Sequence, residues 1–292
     1  MPSRVRIGTA GWAIPRPAAD AFPSEGSRLE RYAARLNCVE INSSFYRPHA
    51  ATTYARWAAA TPIGFRFAVK APRALTHEAR LTDTGARLDD FLGQIAALEG
   101  RLGPILIQLP PSLAFDREVA ERFLAGLRAR FDGAVAWEPR HPSWFVAEAE
   151  ALLAGRRIAR VAADPARVPA AALPGGWPSL AYHRLHGSPR IYFSKYDEAF
   201  LGDLVARLGE TGAAETWCVF DNTAAGEATA DAFALEARLV ILNSMTPEEA
   251  RERQKAYAAK RKTWARAVGR PYTRRDKDPR PPPGELDAVA EE

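Results

Sequence analysis

Apolar residues recur along this chain in two rhythms. Eight short runs are continuous or alternate with polar residues as strands do: "VRIGT" (5–9), "CVEIN" (38–42), "FRFAVK" (65–70), "ILIQL" (105–109), "AVAWE" (134–138), "IARVAA" (158–163), "LAYHRLH" (180–186) and "TWCVFD" (216–221). Between them apolar residues return at three- and four-residue spacing in "SRLERYAARL", "ATTYARWAAA", "GARLDDFLGQIAALEG", "DREVAERFLAGLRARF", "SWFVAEAEALLAG" and "EAFLGDLVARLGE", and after the last strand in "ATADAFALEARLV". That spacing predicts helices. The segment between the sixth and seventh strands, "DPARVPAAALPGGWP", is too rich in Pro and Gly for a long helix. Alternation of this kind over residues 1–245 predicts an α/β fold, specifically a single (β/α)8 TIM barrel. An open doubly wound sheet is the main rival, but nothing resembling a dinucleotide glycine fingerprint follows the first strand beyond "GTAGW".

In a closed parallel barrel one strand face meets the helices and the other points into the lumen. Parity then places Val39 and Ile41 outward and Glu40 and Asn42 inward, and puts Phe65, Phe67 and Val69 out with Lys70 in. The same count turns Gln108, Glu138, Tyr182, Arg184 and His186 inward, with Asp164 just after the sixth strand. The eighth strand ends in Asp221 and Asn222, and parity leaves open which of them faces in. These polar residues cluster at the C-terminal ends of their strands, the face where catalytic groups collect in such barrels. A single buried charge there reads as a satisfied core ion pair. Polar groups ending six or seven strands predict a pocket, because an unpaired buried charge costs several kcal/mol that a Val would not.

Composition changes the picture little for the main domain. The chain has 292 residues, 47% of them hydrophobic, enough to bury a sizeable core. Its net charge of +5 is local: residues 251–280 carry twelve Lys or Arg against three acids, whereas residues 1–250 balance to zero. After the 1–245 domain, "MTPEEA" supplies Thr246, Pro247 and Glu249 as a capping signal for a basic helix over 246–270, and residues 271–292 have the composition of a disordered tail. That basic element makes nucleic acid a partner to weigh, although a solvated helix docked through Tyr257 and Trp264 is the favoured reading. Cys38 and Cys218 lie far apart in apolar runs, which suggests buried thiols in a reducing compartment. "MPSRVRIG" has no apolar signal core and no run approaches a membrane span, so the expected location is the cytoplasm, with no membrane partner.

Taken in order and spacing, "GTAGW", "VEINSSFYR", "FRFAVKAPRALTH", "LGPILIQLPPSL", "WEPRHPSW", "YHRLHGSP", "YFSKY" and "VFDNTAAG" resemble the YecE-like proteins, domain of unknown function 72, from Arg6 to about Leu242. The resemblance implies a TIM-barrel fold distantly similar to sugar isomerases of the xylose isomerase kind. It supplies no reaction.

Three kinds of group converge at the predicted pocket. Glu40 and Glu138 are candidate proton-transfer carboxylates, and Lys70 and His186 complete the catalytic set. Arg140, His141, Arg184, Asn42, Gln108 and Asn222, with Asp221 and Tyr46, are the candidate substrate-binding residues. A donor-rich rim of this kind suits a small anionic or polyhydroxylated molecule. Trp12, Trp144 and Tyr192 are further aromatic candidates for the pocket wall. The loops "GSPRIYFSKY" and "NTAAGEATA" point to a phosphorylated ligand. No cofactor is predicted. The alternative is a divalent-metal sugar isomerase or phosphoesterase, with Glu138, Asp164, His186 and Asp221 as ligands, and the nearby Lys70, Arg140 and Arg184 weigh against it. Lys70 as a Schiff-base nucleophile is a minor reading beside its role in an ion pair.

Overall fold

The computed structural model describes residues 4–244; the expected basic helix over 246–270 and the tail over 271–292 lie outside the described residues. Five strands appear within a few residues of their expected places: β1 (Arg4–Thr9), β2 (Cys38–Ile41), β3 (Arg66–Lys70), β4 (Leu102–Gln108) and β5 (Val135–Glu138). The sixth is divided at Val161 into β6 (Ala159–Arg160) and β7 (Ala162–Asp164). A two-residue strand, β8 (Gly175–Gly176), and a 3₁₀ turn at Pro169–Ala172 occupy the Pro- and Gly-rich segment, followed by β9 (Leu180–Leu185) and β10 (Glu215–Phe220).

The seven expected helices are all present: α1 (Arg28–Ala33), α2 (Ala51–Ala59), α3 (Gly85–Ile95), α4 (Arg117–Arg128), α5 (Ala147–Gly155), α6 (Glu198–Glu210) and α7 (Glu227–Ser244). Their starts follow local chemistry. Ser27 and Glu30 form a reciprocal capping box on α1, and Asp116 and Asp197 accept from Val119 N and Phe200 N to cap α4 and α6. No helix among the described residues is long and apolar enough to cross a membrane.

The strands form two sheets, ordered β1-β10-β9-β7 and β2-β3-β4-β5-β6-β8, parallel throughout except where β8 runs antiparallel to β6. The α/β fold expected from the sequence is present, as two parallel sheets whose ladder is not closed into one. At one junction the chain itself crosses from sheet to sheet, since β6 pairs with β5 and β7 pairs with β9. At the other, β1 and β2 share only the Ala10–Glu40 bridge. Side chains explain that second gap. Along β1, Ile7 N donates to Asn37 Oδ1 at 2.9 Å and Thr9 N donates to the Tyr32 hydroxyl at 2.9 Å, which in turn donates to Cys38 O at 3.0 Å. Backbone groups that would pair strand to strand are satisfied by Asn37 and Tyr32 instead.

Gly8 makes this junction tight. A Cβ there would lie 2.1 Å from the Cys38 carbonyl oxygen, which is backbone and cannot swing aside. Gly8→Ala is therefore expected to destabilise the fold by about 3 kcal/mol, at the upper end of overpacking effects. Urea unfolding checks this; a loss under about 0.5 kcal/mol would mean that the junction opens freely.

Side chains sort by parity into two apolar layers. Val39, Ile41, Phe67, Val69, Ile105, Ile107, Val135 and Trp137 pack outward against the helices, while Cys38, Ala68, Leu106, Ala136, Ala159, Tyr182, Trp217 and Val219 form one inner cluster. Strands of both sheets contribute to that inner cluster.

Candidate functional site

On six strands, two residues beyond the last inner apolar position and toward the strand's C-terminal end, the side chain becomes polar. Cys38 gives way to Glu40, Ala68 to Lys70, Leu106 to Gln108, Ala136 to Glu138, Tyr182 to Arg184 and Val219 to Asp221. The floor is dry, with the Tyr182 and Trp217 rings stacked 5.8 Å apart and 10° from parallel. Tyr182 has a polar use as well, since its hydroxyl donates to Glu40 Oε2 at 2.8 Å.

Arg184, fully buried, is the centre of the polar layer. Its guanidinium grips Glu40 through Nε at 3.0 Å and Nη2 at 2.6 Å, reaches Glu138 Oε2 through Nη1 at 2.8 Å, and reaches Asp221 Oδ2 through Nη2 at 3.0 Å. Only Arg has a planar fork able to serve three carboxylates at once. Arg140 Nε donates to the other oxygen of Glu138 at 2.7 Å, and Gln108 Nε2 donates to Glu138 Oε2 at 2.9 Å. Burial alone would raise the Glu138 pKa, but Arg140 and then Arg184 hold it well below the usual carboxylate range. Against burial, Arg184 and then His186 likewise pull Asp221 down to about 2.

His186 lies between two of these carboxylates. Asp221 can only accept, so the 2.8 Å contact to His186 Nδ1 assigns the proton to that nitrogen. Nε2 then faces Arg140 Nη2 at 3.2 Å and Glu138 Oε1 at 3.3 Å. A neutral ring accepts from the first and a protonated ring donates to the second, so either state has a partner. Lys70 is different. Its side chain is buried, its ammonium sits 4.3 Å from the Phe45 ring centre, and it makes no ion pair among the described residues. Burial, then the charge of Arg184, lowers its pKa to about 8 against the pull of Asp221, Glu40 and Glu138.

With this geometry in hand, comparison with known proteins is informative. A model of the family described as "Protein of unknown function DUF72" matches residues 6–256. The chain belongs to the DUF72 family. It is 32% identical over 143 residues to the UPF0759 protein YecE of Escherichia coli K12, and spans about half the length of the curated relatives it matches, 50% of that protein and 48% of itself. A DUF72 protein of Thermotoga maritima superposes with a TM-score of 0.68 at 26% identity, covering 81% of this chain and 99% of the other. A DUF72 protein of Enterococcus faecalis gives 0.69 at 22% identity over 80% and 95% of the two chains, a likeness of fold.

The remaining candidates of this DUF72 chain separate into those that join the cluster and those that do not. Asn42 Nδ2 approaches Asp221 Oδ1 at 3.4 Å, and its buried Oδ1 has no partner among the described residues. Asp221, not Asn222, faces in: Asn222 turns to Ser194 O at 2.9 Å and Asp231 Oδ2 at 2.7 Å and ties the loops together. His141 is held by Ser143, with Nδ1 2.8 Å from its hydroxyl. Tyr46 is 64% exposed and packs edge-on against Phe45. Trp144 is buried beside Trp137 and donates to Leu113 O at 2.9 Å, while Trp12 packs on Trp57, so both belong to the packing. Tyr192 does overlie the site, its ring edge-on to His186 at 6.0 Å and its backbone at φ 70°, a conformation costly for a non-glycine residue.

The sequence reading missed His77. A wide π-helical turn at Ala74–Glu78 carries it edge-on against the Phe45 ring, 4.9 Å between centroids, where burial and then the charge of Lys70 hold its pKa below the ordinary value. Nothing in "ALTHE" announces such a turn.

Two expected ligands find little support. At the loops proposed for phosphate, Gly187 N donates to the Tyr196 hydroxyl, Ala224 N to Tyr192 O, Gly226 N to Thr223 O and Ala228 N to Asn222 O. Those donors are already engaged. Of the metal set, Asp164 accepts from the Tyr196 hydroxyl at 3.0 Å, and the oxygens of Glu138 and Asp221 are turned to Arg140, Arg184 and His186. With these carboxylates paired to guanidinium groups, the residues do not fit a divalent ion, and no group of three or more such side chains among the described residues does.

Proposed function

We propose that this DUF72 protein is an enzyme that binds a small anionic or polyhydroxylated, sugar-like molecule over the strand ends and acts on it by general acid/base chemistry without a metal. The observation that carries this reading is Lys70, a buried ammonium left without an ion pair beside a cluster in which every neighbouring carboxylate is already paired. Burying a charge in that way costs several kcal/mol, which selection tolerates where the charge meets a ligand. Arg140 Nη1 is a second donor without a partner among the described residues, and Asn42 Oδ1 is a matching acceptor for a hydroxyl.

The roles follow from access. Glu40, with no solvent exposure and bonds to Arg184 and Tyr182, serves as an anchor for the guanidinium and not as a proton carrier. Glu138 keeps Arg140 and His186 in place. Proton transfer falls to Lys70 and His186, the latter having a hydrogen-bond partner in both protonation states. We further propose that the two sheets act as one (β/α)8 barrel, an idea supported by their shared inner cluster and the crossing of the chain at Val161. A cytoplasmic setting accords with two buried free thiols.

Lys70→Met tests the reading. Removal of an ammonium whose pKa is depressed to about 8 is expected to raise stability at pH 7 by about 3 kcal/mol while abolishing the binding of small anions. Thermal melts with and without gluconate or citrate measure both. A variant that is less stable than the parent, or one that keeps the ligand-induced shift of the parent, removes Lys70 from the site.

A further inference from the structure

We infer that Lys70 is an imine-forming amine and that the substrate class is a small aldehyde or ketone carrying a neighbouring carboxylate or hydroxyl group; this inference rests on the binding site proposed above. The chain contains 34 Arg and six Lys, and between residues 4 and 244 the only lysines are Lys70 and Lys195. At every other buried cationic position of the described core (Arg6, Arg160 and Arg184) it uses Arg with a carboxylate partner. A guanidinium suits anion binding as well as an ammonium does and holds its charge better. The one property Lys offers that Arg does not is a nitrogen able to lose its proton and attack carbon.

The surroundings of Lys70 favour that chemistry. Its Nζ rests over Phe45 in place of a carboxylate, and no paired anion within ion-pair distance blocks its lone pair. An amine buried against an aromatic ring and near a fixed guanidinium is the usual environment of a nucleophilic lysine. In the step itself the Nζ lone pair adds to the carbonyl carbon and a proton passes from nitrogen to oxygen, giving a carbinolamine. The new hydroxyl then takes a second proton and leaves as water while the C=N bond forms. His77, which touches the same Phe45 ring, is placed to relay that proton from solvent. Arg140 Nη1 would meet the neighbouring carboxylate and Asn42 Oδ1 a neighbouring hydroxyl.

The experiment uses the full chain at pH 8 with pyruvate or glycolaldehyde as probe and cyanoborohydride to reduce any imine to a stable secondary amine, followed by peptide mass mapping. Exposed Lys195 is the internal reference. At this pH about half of an amine with pKa about 8 is unprotonated, against less than about 1% of an ordinary lysine. Labelling of Lys70 is expected to exceed that of Lys195 at least tenfold, and Lys70→Arg is expected to keep pyruvate binding by calorimetry while losing the adduct. Pyruvate binding without preferential labelling of Lys70 overturns the imine and leaves the anion site standing. Neither binding nor labelling overturns both.

Discussion

Arg184→Met is expected to lower stability at neutral pH by about 3–5 kcal/mol, the range for removing one partner of a buried ionic network. The guanidinium lies at 0% exposure between Glu40, Glu138 and Asp221, and its loss leaves carboxylates at 1% exposure or less, Glu40 and Glu138, facing one another without their shared counter-charge. The sign of the pH dependence follows. In the parent, Glu138 and Asp221 have folded pKa values below the ordinary range, so they contribute stability above about pH 4 that fades as pH falls through the depressed values. In Arg184→Met, where Arg184 no longer offsets burial, acidification removes like-charge repulsion, and the gap between variant and parent should shrink below about pH 5. Arg184→Lys should recover little, because a point charge cannot grip Glu40 with two nitrogens while serving two other carboxylates. Urea unfolding at pH 7 and pH 4.5 measures these differences; a loss under about 1 kcal/mol at pH 7 would mean that the cluster is not the closed unit described.

The second large effect lies outside the site. His183, on the opposite face of β9 from Arg184, is 2% exposed, its Nε2 has no partner among the described residues, and burial, then Arg207, lowers its pKa to about 3. The unfolded chain takes up a proton near pH 6.5 that the folded one refuses until about pH 3. Stability is therefore full above pH 6.5 and falls below it by about 1.4 kcal/mol per pH unit, approaching a total of about 5 kcal/mol. The acid limb should begin more than a unit above the range where carboxylates titrate. His183→Leu, which leaves neither a titrating group nor an unpartnered nitrogen, should flatten the limb between pH 6.5 and 4.5. An unchanged slope in that interval would assign the limb to other groups.

These two residues also mark how far a linear reading of the chain reaches. Arg184 and His183 are adjacent in "YHRLH", and the period-two count alone assigns Arg184 to the interior and His183 to the helix-facing side. The same count places Glu40, Lys70, Gln108 and Glu138 in one layer, because each stands two residues beyond a small or apolar inner residue on a strand of the same direction. It stops at strand ends. Asp221 and Asn222 follow Phe220, the last register position of β10, where the chain leaves the ladder and the alternation no longer binds it. Their separation, one to Arg184 and the other to Ser194 and Asp231, is decided by loops that have no periodicity.

Strand positions, helix starts and the inward face were thus determined by the sequence itself, since alternation and capping depend on neighbours within a few residues. Only the tertiary structure decided which charges pair, that Tyr32 and Asn37 replace a backbone ladder between β1 and β2, and that a π-helical turn brings His77 to the same ring as Lys70. The physical reason is distance along the chain: Glu40 and Arg184 are 144 residues apart and meet at 2.6 Å. A hydrogen bond between such residues depends on the placement of every element between them, and no local pattern records it.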